Sequence, residues 1–275
     1  MEDRGWLRLE KPGIQERLGQ IRHVLFDFDG TLSLLRQGWE GVMIPLMVEM
    51  ITRGAAPAPE IDAEVRDYVD RSTGILTIKQ MEWLVEAVRR HGLAGEPETA
   101  AAYKRIYLGR LEERVKNRRQ AVMAGLVKPE EWMLSGAADF VRALAERGAR
   151  LYLASGSDHA DVEREAGVLG LRAYFNGGIY GALDEDESHG KERVIQAILD
   201  DHRLGGDQLL VVGDGPVEIR EAISRRAIAL GVASDEIARS GWNAHKVERL
   251  VAAGADLLVA DFSQSDRLVA ALLGS

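Results

Sequence analysis

The sequence predicts an α/β protein with a doubly wound parallel sheet and an inserted all-helical segment. Short apolar runs, of the kind found in buried parallel strands, recur along the chain and end abruptly in polar residues. After residue 128, amphipathic stretches separate these runs, and such strand-helix alternation is typical of a parallel sheet covered on both faces. Between residues 38 and 120 we find only helical periodicity.

The helical segment begins soon after the first predicted strand, residues 21–27, which itself follows a polar leader at 1–20 expected to lie across the domain. Apolar residues recur at helical spacing over 39–50 and 81–88, and a third helix is predicted at about 98–124. A block of this size inserted after one strand indicates a separate domain. The predicted domains are a helical cap at 35–127 and a sheet-containing core at 1–34 and 128–275.

The second half of the chain alternates between strands and helices. Ser135 is expected to cap a helix that runs through Arg147, and Ser188 to cap a helix that begins near Lys191. Glycines 177, 178 and 181 predict a tight excursion of the backbone. The other elements predicted here are a helix at 160–168 and strands at 151–154, 209–212, 227–230 and 256–259.

Composition excludes several classes of function. The chain has 35 basic and 44 acidic residues, a formal charge of −9, which disfavours a general binder of nucleic acid or of an anionic lipid surface. It has no cysteine, which rules out disulfides and thiol chemistry. No apolar run approaches the roughly 18 residues that span a bilayer, and the start lacks the layout of a signal peptide. We therefore expect a cytoplasmic protein without nucleic-acid or membrane partners.

Two carboxylates come directly after the first predicted strand. Asp27 and Asp29 stand two residues apart, and Gly30 can take the sharp bend that lets both side chains converge on one point. Converging carboxylates favour a divalent cation. An Asp-Gly turn alone has a purely structural explanation, so a functional interpretation needs matching residues at the ends of other strands.

Four further residues, all in the second half of the chain, complete a predicted site for phosphoryl transfer. Ligands of such sheets bind beyond the C-terminal strand ends, where Ser155 and Asp214 each come after a predicted strand. Transfer through an aspartyl intermediate needs a carboxylate nucleophile, a second carboxylate that protonates the leaving oxygen, a cation, and donors to the phosphoryl oxygens. Ser155 and Lys191 could be the donors, and Asp214 could complete a magnesium site. Glu218, one helical turn later, could orient a metal-bound water.

These motifs resemble those of the haloacid dehalogenase superfamily of phosphohydrolases. The DxDGT motif is matched by Asp27 to Thr31, the Ser or Thr that ends a strand by Ser155, the lysine at a helix start by Lys191, and GDxxxD by Gly213 to Glu218. The similarity covers about 20–34 and 130–262. The chain departs from the fourth motif by ending it in Glu218, a position at which superfamily members carry either acid.

The resemblance implies a Rossmann-like core and a set of roles. Asp27 would be the nucleophile and Asp29 the acid/base, with Mg²⁺ held by Asp27, the Asp29 carbonyl and Asp214. The helical segment would be a cap over the site, and the substrate a small phosphorylated metabolite, as in phosphoglycolate phosphatases and their relatives. Phosphate-binding residues implied in this way are Thr31, Ser155, Gly156 and Lys191.

Substrate choice should depend on the cap. Arg36 lies close enough after the first motif to line the entrance, and Lys79 lies at a predicted helix start. We expect Trp39 to pack inside the cap. The basic residues of the helix over 103–119 are expected to form a solvated face.

Several functions remain open from the sequence. A phosphosugar mutase shares the catalytic set, and a phosphonate hydrolase would need a Schiff-base lysine in the cap, for which Lys79 is the candidate. A dehalogenase has no need of Asp29 as an acid. A non-catalytic phospholigand sensor, or a receiver-like domain phosphorylated on Asp27, is disfavoured for the same reason. The substrate itself could be phosphoglycolate, a sugar phosphate or a nucleoside monophosphate.

Overall fold

The computed structural model describes residues 2–3, 5–54, 59–183 and 190–274. Within these residues the chain forms one eight-stranded sheet of order β1-β2-β8-β7-β6-β3-β4-β5. Of these strands only β2 runs opposite to the others, pairing antiparallel with β1 and β8, so the predicted α/β class with a mostly parallel sheet is confirmed. The strands are β1 (Glu2–Asp3), β2 (Leu7–Leu9), β3 (His23–Phe26), β4 (Arg150–Asp158), β5 (Gly178–Ala182), β6 (Leu209–Gly213), β7 (Ile228–Val232) and β8 (Leu257–Val259).

Helices cover both faces of the sheet. Val24 and Phe26 of β3 belong to one apolar cluster and Leu25 to another on the opposite face, as the two-residue repeat of a strand requires. The helices are α1 (Glu40–Thr52), α2 (Pro59–Arg71), α3 (Thr77–His91), α4 (Ala100–Met123), α5 (Ala137–Glu146), α6 (His159–Val168), α7 (Lys191–His202), α8 (Pro216–Ser224), α9 (Ala244–Ala253) and α10 (Ser265–Leu273).

The register of the central strands positions the site. Phe26 of β3 pairs with Leu153 of β4 on one side and with Val212 of β6 on the other. Because the three strands run in the same direction, the residues just beyond these positions emerge at one edge of the sheet. Helices α1 to α4 lie between β3 and β4 in the chain, and no strand is found among the described residues of that stretch. Its treatment as a separate domain at 35–127 remains a prediction.

Four local expectations need correction. The polar leader at 1–20 was expected only to lie across the domain, but it also supplies strands β1 and β2 at the edge of the sheet. Ser135 does not cap α5: the N-cap is Gly136, at φ +74°, where a Cβ would lie 2.1 Å from the Phe262 carbonyl oxygen. Residues 178–182, expected as a glycine-rich excursion, form the edge strand β5, and the strand predicted at 151–154 continues to Asp158. The cap predicted at Ser188 lies outside the described residues.

The part of the chain that the structure describes includes no helix long and apolar enough to cross a bilayer.

Candidate active site

The predicted catalytic residues converge at the carboxyl edge of β3, β4 and β6. Asp27 comes after β3, Asp214 after β6, and Lys191 is the first residue of α7. All three are at most 7% exposed. Thr31 joins two of the carboxylates, since its hydroxyl lies 3.1 Å from Asp27 Oδ2 and 3.3 Å from Asp214 Oδ1. We call Asp27, Asp29, Lys191, Asp214 and Glu218 the floor of the site.

Lys191 is held between two carboxylates. Its Nζ lies 2.5 Å from Asp27 Oδ1 and 3.0 Å from Glu218 Oε2. Burial alone would lower the pKa of Lys191, but these two charges outweigh it and raise the pKa, so the lysine stays an ammonium. The other oxygen of Glu218 accepts a hydrogen bond of 2.7 Å from the Gly215 amide. Both oxygens of Glu218 therefore have partners, and its contacts orient Lys191 and the β6–α8 turn.

Asp29 is held by the predicted phosphate-binding strand end. Its Oδ2 accepts hydrogen bonds from the hydroxyls of Ser155, at 3.0 Å, and Ser157, at 3.1 Å. Its Oδ1 is buried without a hydrogen-bond partner and lies 3.8 Å from Arg36 Nε. One oxygen of this carboxyl group thus remains available for proton exchange with a bound molecule.

The bend after Asp29 requires glycine. Gly30 has φ +78°, and a Cβ there would lie 2.6 Å from Asp214 Oδ2. Gly30 is therefore what allows the DxDG turn to approach the end of β6.

The acidic residues of the floor are suited to a divalent cation. Carboxylate oxygens of Asp27, Asp214 and Glu218 lie within 4.8 Å of one another. Burial raises the pKa of Asp27 well above its usual value, and the charges of Glu218 and Asp214 add to the rise against the effect of Lys191. An additional cation would favour the carboxylate form of Asp27. Buried oxygen ligands of this kind suit Mg²⁺, although Lys191 already engages Glu218.

A second buried lysine was missed by the sequence analysis. Lys246 Nζ lies 2.7 Å from Asp214 Oδ2 and 2.8 Å from Glu236 Oε1. Burial raises the pKa of Asp214, but Lys246 and Arg249 more than offset this and lower it. One signal was available, because Lys246 stands four residues before the buried Leu250 and so shares the inward face of α9. Nothing in the sequence indicated which carboxylate it would meet, 32 residues away.

The helical segment touches the floor mainly through its backbone, at residues 72–77, which we call the roof. Gly74 has φ +97°, and a Cβ there would lie 2.5 Å from Glu218 Oε2. A Cβ on Gly156 would lie 2.1 Å from the Ile75 carbonyl oxygen. The Thr77 hydroxyl donates to the Gly156 carbonyl at 3.3 Å. Glycines on both sides thus permit a close backbone approach.

A charged contact lies beside the roof. Asp70 of α2 accepts hydrogen bonds from Arg249, at 2.7 Å, and from His245, at 3.0 Å, both on α9. Arg249 also donates to the Asp214 main-chain oxygen at 2.9 Å. The end of α2 is therefore connected through one arginine to the backbone of the floor.

The three candidate residues of the helical segment differ in position. Arg36 lines the cavity and is 6% exposed, but it donates to both oxygens of Glu165 and to Asp161. Its contacts are thus those of a structural cation. Trp39 packs against the apolar core as expected and also lines the cavity. Lys79 does not line it: its side chain is 38% exposed and pairs with Glu82, whereas the next residue, Gln80, is buried in the cavity wall.

The basic face of α4 is only partly solvated. Arg119 is buried and contacts Glu112 and Glu165, and Lys104 forms an ion pair with Asp158 of β4. Arg114, in contrast, is exposed. The expectation of a solvated face therefore fails where α4 approaches the core.

Floor and roof line a cavity of about 70 Å³. Its lining residues are Asp27, Asp29, Arg36, Trp39, Thr73, Gly74, Ile75, Thr77, Gln80, Tyr107, Ser155, Gly156, Ser157 and Asp214.

The family model of haloacid dehalogenase-like hydrolases matches residues 21–224 of the chain. The chain belongs to this family. A comparison with curated proteins finds no match.

Solved structures share the fold of this haloacid dehalogenase-like hydrolase. A predicted phosphatase from Clostridium acetobutylicum has a TM-score of 0.58 and 17% identity, covering 90% of this chain and 98% of its own. A predicted phosphoglycolate phosphatase from Haemophilus somnus has a TM-score of 0.55 and 17% identity, covering 91% and 98%. A β-phosphoglucomutase from Clostridium difficile has a TM-score of 0.54 and 15% identity, covering 89% and 92%. The resemblance inferred from the motifs is confirmed.

Proposed function

We propose that this hydrolase cleaves a small phosphomonoester through an aspartyl-phosphate intermediate, with Mg²⁺ as cofactor. The observation that carries the proposal is the pairing of Asp27 with Lys191 at 2.5 Å beside Asp29, which keeps one carboxyl oxygen free of hydrogen bonds. A nucleophile, a cation and an acid/base thus meet in one buried space. The predicted phosphatase and the predicted phosphoglycolate phosphatase among the similar solved structures bear names that agree with this chemistry.

The first chemical step uses Asp27 and Asp29. A carboxylate oxygen of Asp27 attacks phosphorus, and the bond between phosphorus and the ester oxygen breaks. The proton that the leaving alkoxide needs comes from Asp29, whose Oδ1 has no competing hydrogen bond. Lys191 offsets negative charge next to the nucleophile throughout the step.

The second step releases phosphate. Asp29, now a carboxylate, removes a proton from water. The resulting hydroxide attacks phosphorus, and the bond between phosphorus and the Asp27 oxygen breaks. The hydroxyls of Ser155 and Ser157 hold the other Asp29 oxygen and so fix the direction of the carboxyl group. Inorganic phosphate leaves and both aspartates return to their initial states.

Asp27, the Asp29 carbonyl and Asp214 would hold Mg²⁺, and Glu218 would support the site through Lys191 and the Gly215 amide. When bound, the ion would neutralise charge on the phosphoryl oxygens. We infer that the roof limits the substrate to small metabolites, because its main chain at Gly74 and Ile75 covers the residues that would bind the phosphoryl group.

The test is the replacement Asp27→Asn. We expect it to lower kcat for p-nitrophenyl phosphate at least about 100-fold at unchanged melting temperature, because an amide of the same shape does not attack phosphorus. Asp139→Asn on the exposed surface of α5 is the control and should keep the wild-type rate. Retention of more than about a hundredth of the wild-type rate by Asp27→Asn would contradict the covalent mechanism.

A further inference from the structure

A second and larger cavity continues from the small one. It encloses about 610 Å³, within the range of pockets that hold small molecules, and opens between α1, α4 and α9. Asp29, Trp39, Thr73 and Asp214 line both cavities. We call this space the outer chamber.

The position of Asp29 determines which part of the substrate would enter the outer chamber. The acid that protonates the leaving oxygen must lie beside that oxygen. Since Asp29 borders both cavities, a phosphoryl group against Asp27 directs its ester oxygen, and everything attached to it, towards the outer chamber. This step rests on the phosphatase function proposed above.

The charges that line the outer chamber disfavour an anionic leaving group. Six carboxylates face it, against four lysine and arginine side chains and one histidine. Most of these cations already have partners. Lys246 is bound to Asp214 and Glu236, and Arg249 to Asp70 and a main-chain oxygen.

Among the described residues of the lining, the two arginines from α4 are the cations that form no ion pair. Arg118 donates to the carbonyls of Leu35 and Gln37, both at 2.9 Å, and lies over the Trp132 ring. Arg114 makes one hydrogen bond of 3.3 Å, to the Gly38 carbonyl, and is exposed to solvent. Carbonyl groups do not neutralise the charge of Arg118, so both arginines count in full, and the lining still carries two more carboxylates than lysine and arginine side chains.

Glu40 provides an acceptor that fits hydroxyl groups. It is the first residue of α1 and is partly buried, and apart from a hydrogen bond to its own amide its carboxylate has no partner among the described residues. Burial raises the pKa of Glu40, and the charges of Glu236 and Asp214 raise it further, against the opposing effects of its own amide and of Lys246. The Trp39 indole and the side chains of Gln37 and Thr73 complete a polar but largely uncharged surface nearby.

We propose that the outer chamber binds an uncharged, polyhydroxylated leaving group, so that the substrate is a phosphorylated polyol or sugar, and that Glu40 selects it by accepting a hydroxyl and repelling anions. Carboxylates that accept hydroxyl hydrogens and an indole that contacts a C–H face suit such a ligand. A phosphorylated acid such as phosphoglycolate fits this surface poorly.

The test compares esters that differ by one charge. Glycerol 3-phosphate and 3-phosphoglycerate share a three-carbon skeleton, as glucose 6-phosphate and 6-phosphogluconate share a six-carbon one. We expect kcat/KM of the wild type to favour the uncharged leaving group of at least one pair by about tenfold or more, the range expected for one unfavourable desolvated charge. Turnover of p-nitrophenyl phosphate, whose leaving group carries neither a carboxylate nor a further hydroxyl, shows whether the phosphatase chemistry itself takes place.

The variant Glu40→Gln tests the assigned residue. It should lower the preference ratio about fivefold or more, mainly by raising kcat/KM for the anionic ester, because one repelling charge is removed. Glu60→Gln, an exposed acid at the start of α2, is the control and should leave the ratio unchanged.

The outcomes separate the two proposals. If p-nitrophenyl phosphate is cleaved but the anionic esters are equal or preferred in both pairs, the outer-chamber proposal is wrong and the phosphatase function stands. If Glu40→Gln and Glu60→Gln have the same preference ratio between the uncharged and the anionic ester, Glu40 does not select the leaving group. If no ester is cleaved at all, both proposals fail together.

Discussion

The floor and the roof of the site are built from different kinds of contact. Floor residues are charged side chains, buried except for the partly buried Asp29. Lys191 of the floor, and Lys246 beside it, each bridge two carboxylates at 2.5 to 3.0 Å. The roof approaches through glycine and main-chain oxygen atoms, at Gly74 and at the Ile75 carbonyl. The floor therefore depends on charge balance, and the roof on the absence of side-chain atoms.

The two kinds of contact match two different tasks, since the floor would carry the reactive groups and the roof would cover them. A nucleophile and an acid/base need ionisable side chains, which must be paired when buried because an isolated buried charge is very costly. A surface that covers the site needs only shape, so it can be made by main chain wherever glycine permits a close approach. Variants in each region should consequently fail in different ways.

The largest effect is expected for Lys246→Met, which removes the cation paired with Asp214 of the floor. It leaves Asp214 buried without its main cation, and breaking a buried pair in this way typically costs roughly 3–5 kcal/mol. Unfolding by urea in EDTA should show this loss. Added Mg²⁺ should stabilise the variant more than the wild type, because a bound cation replaces the missing positive charge at Asp214.

The control for this experiment is Lys104→Met. It breaks a partly buried ion pair, with Asp158, that involves no residue of the floor. Its response to Mg²⁺ should equal that of the wild type. An equal Mg²⁺ response in Lys246→Met and wild type would show that Lys246 does not balance the charge of the metal site.

A smaller effect is expected for the roof variant Gly74→Ala. The new methyl group would lie 2.5 Å from Glu218 Oε2 and 3.1 Å from Lys191 Nζ, so either the roof or the ion pair must shift. Displacement of an active-site group by about 1 Å typically costs on the order of 100-fold in rate. We expect such a loss in kcat/KM for p-nitrophenyl phosphate.

Gly95→Ala is the matched control. Gly95 has φ +77°, but a Cβ there has no atom within 4 Å. Both variants bear the backbone strain of alanine at positive φ, roughly 1–2 kcal/mol, and only Gly74→Ala bears the clash. Equal values of kcat/KM for the two variants would show that the position of the roof does not affect catalysis.

The smallest effect is expected where α2 meets α9. Burial raises the pKa of Asp70, but the hydrogen bond from His245 and the charge of Arg249 outweigh it and lower the pKa. The stabilising contribution is therefore complete above the unfolded pKa, about 3.9, and disappears as the pH falls through the lower folded value. Because Asp70 is 38% exposed, Asp70→Asn should lower the free energy of unfolding by less than about 1 kcal/mol at pH 7.

The same variant tests whether the contact between Asp70 and α9 holds the roof in place. Asp70→Asn should lower kcat/KM by no more than about fivefold, the factor that corresponds to less than about 1 kcal/mol. Asp62→Asn, on the same helix, removes only the local pair with Arg66 and should keep the wild-type value. If the stability difference between wild type and Asp70→Asn does not shrink as the pH falls below the unfolded pKa of about 3.9, the ion pair is not its source.

The sequence alone determined the sheet core and the floor motifs, because both depend on local patterns. Apolar runs that end in polar residues located β3, β4 and β6, and parallel strands necessarily bring Asp27, Ser155 and Asp214 to one edge. The helical stretch after the first strand was equally predictable from its periodicity.

The tertiary structure alone decided which distant residues meet. Lys246 reaches Asp214 across 32 residues, and Gly74 reaches Glu218 from another part of the chain. It also turned Lys79 outward and Gln80 inward, a choice set by the rotation of α3 and not by residue type. Periodicity fixes which residues share a face of a helix, whereas the partner of that face depends on how separate elements pack.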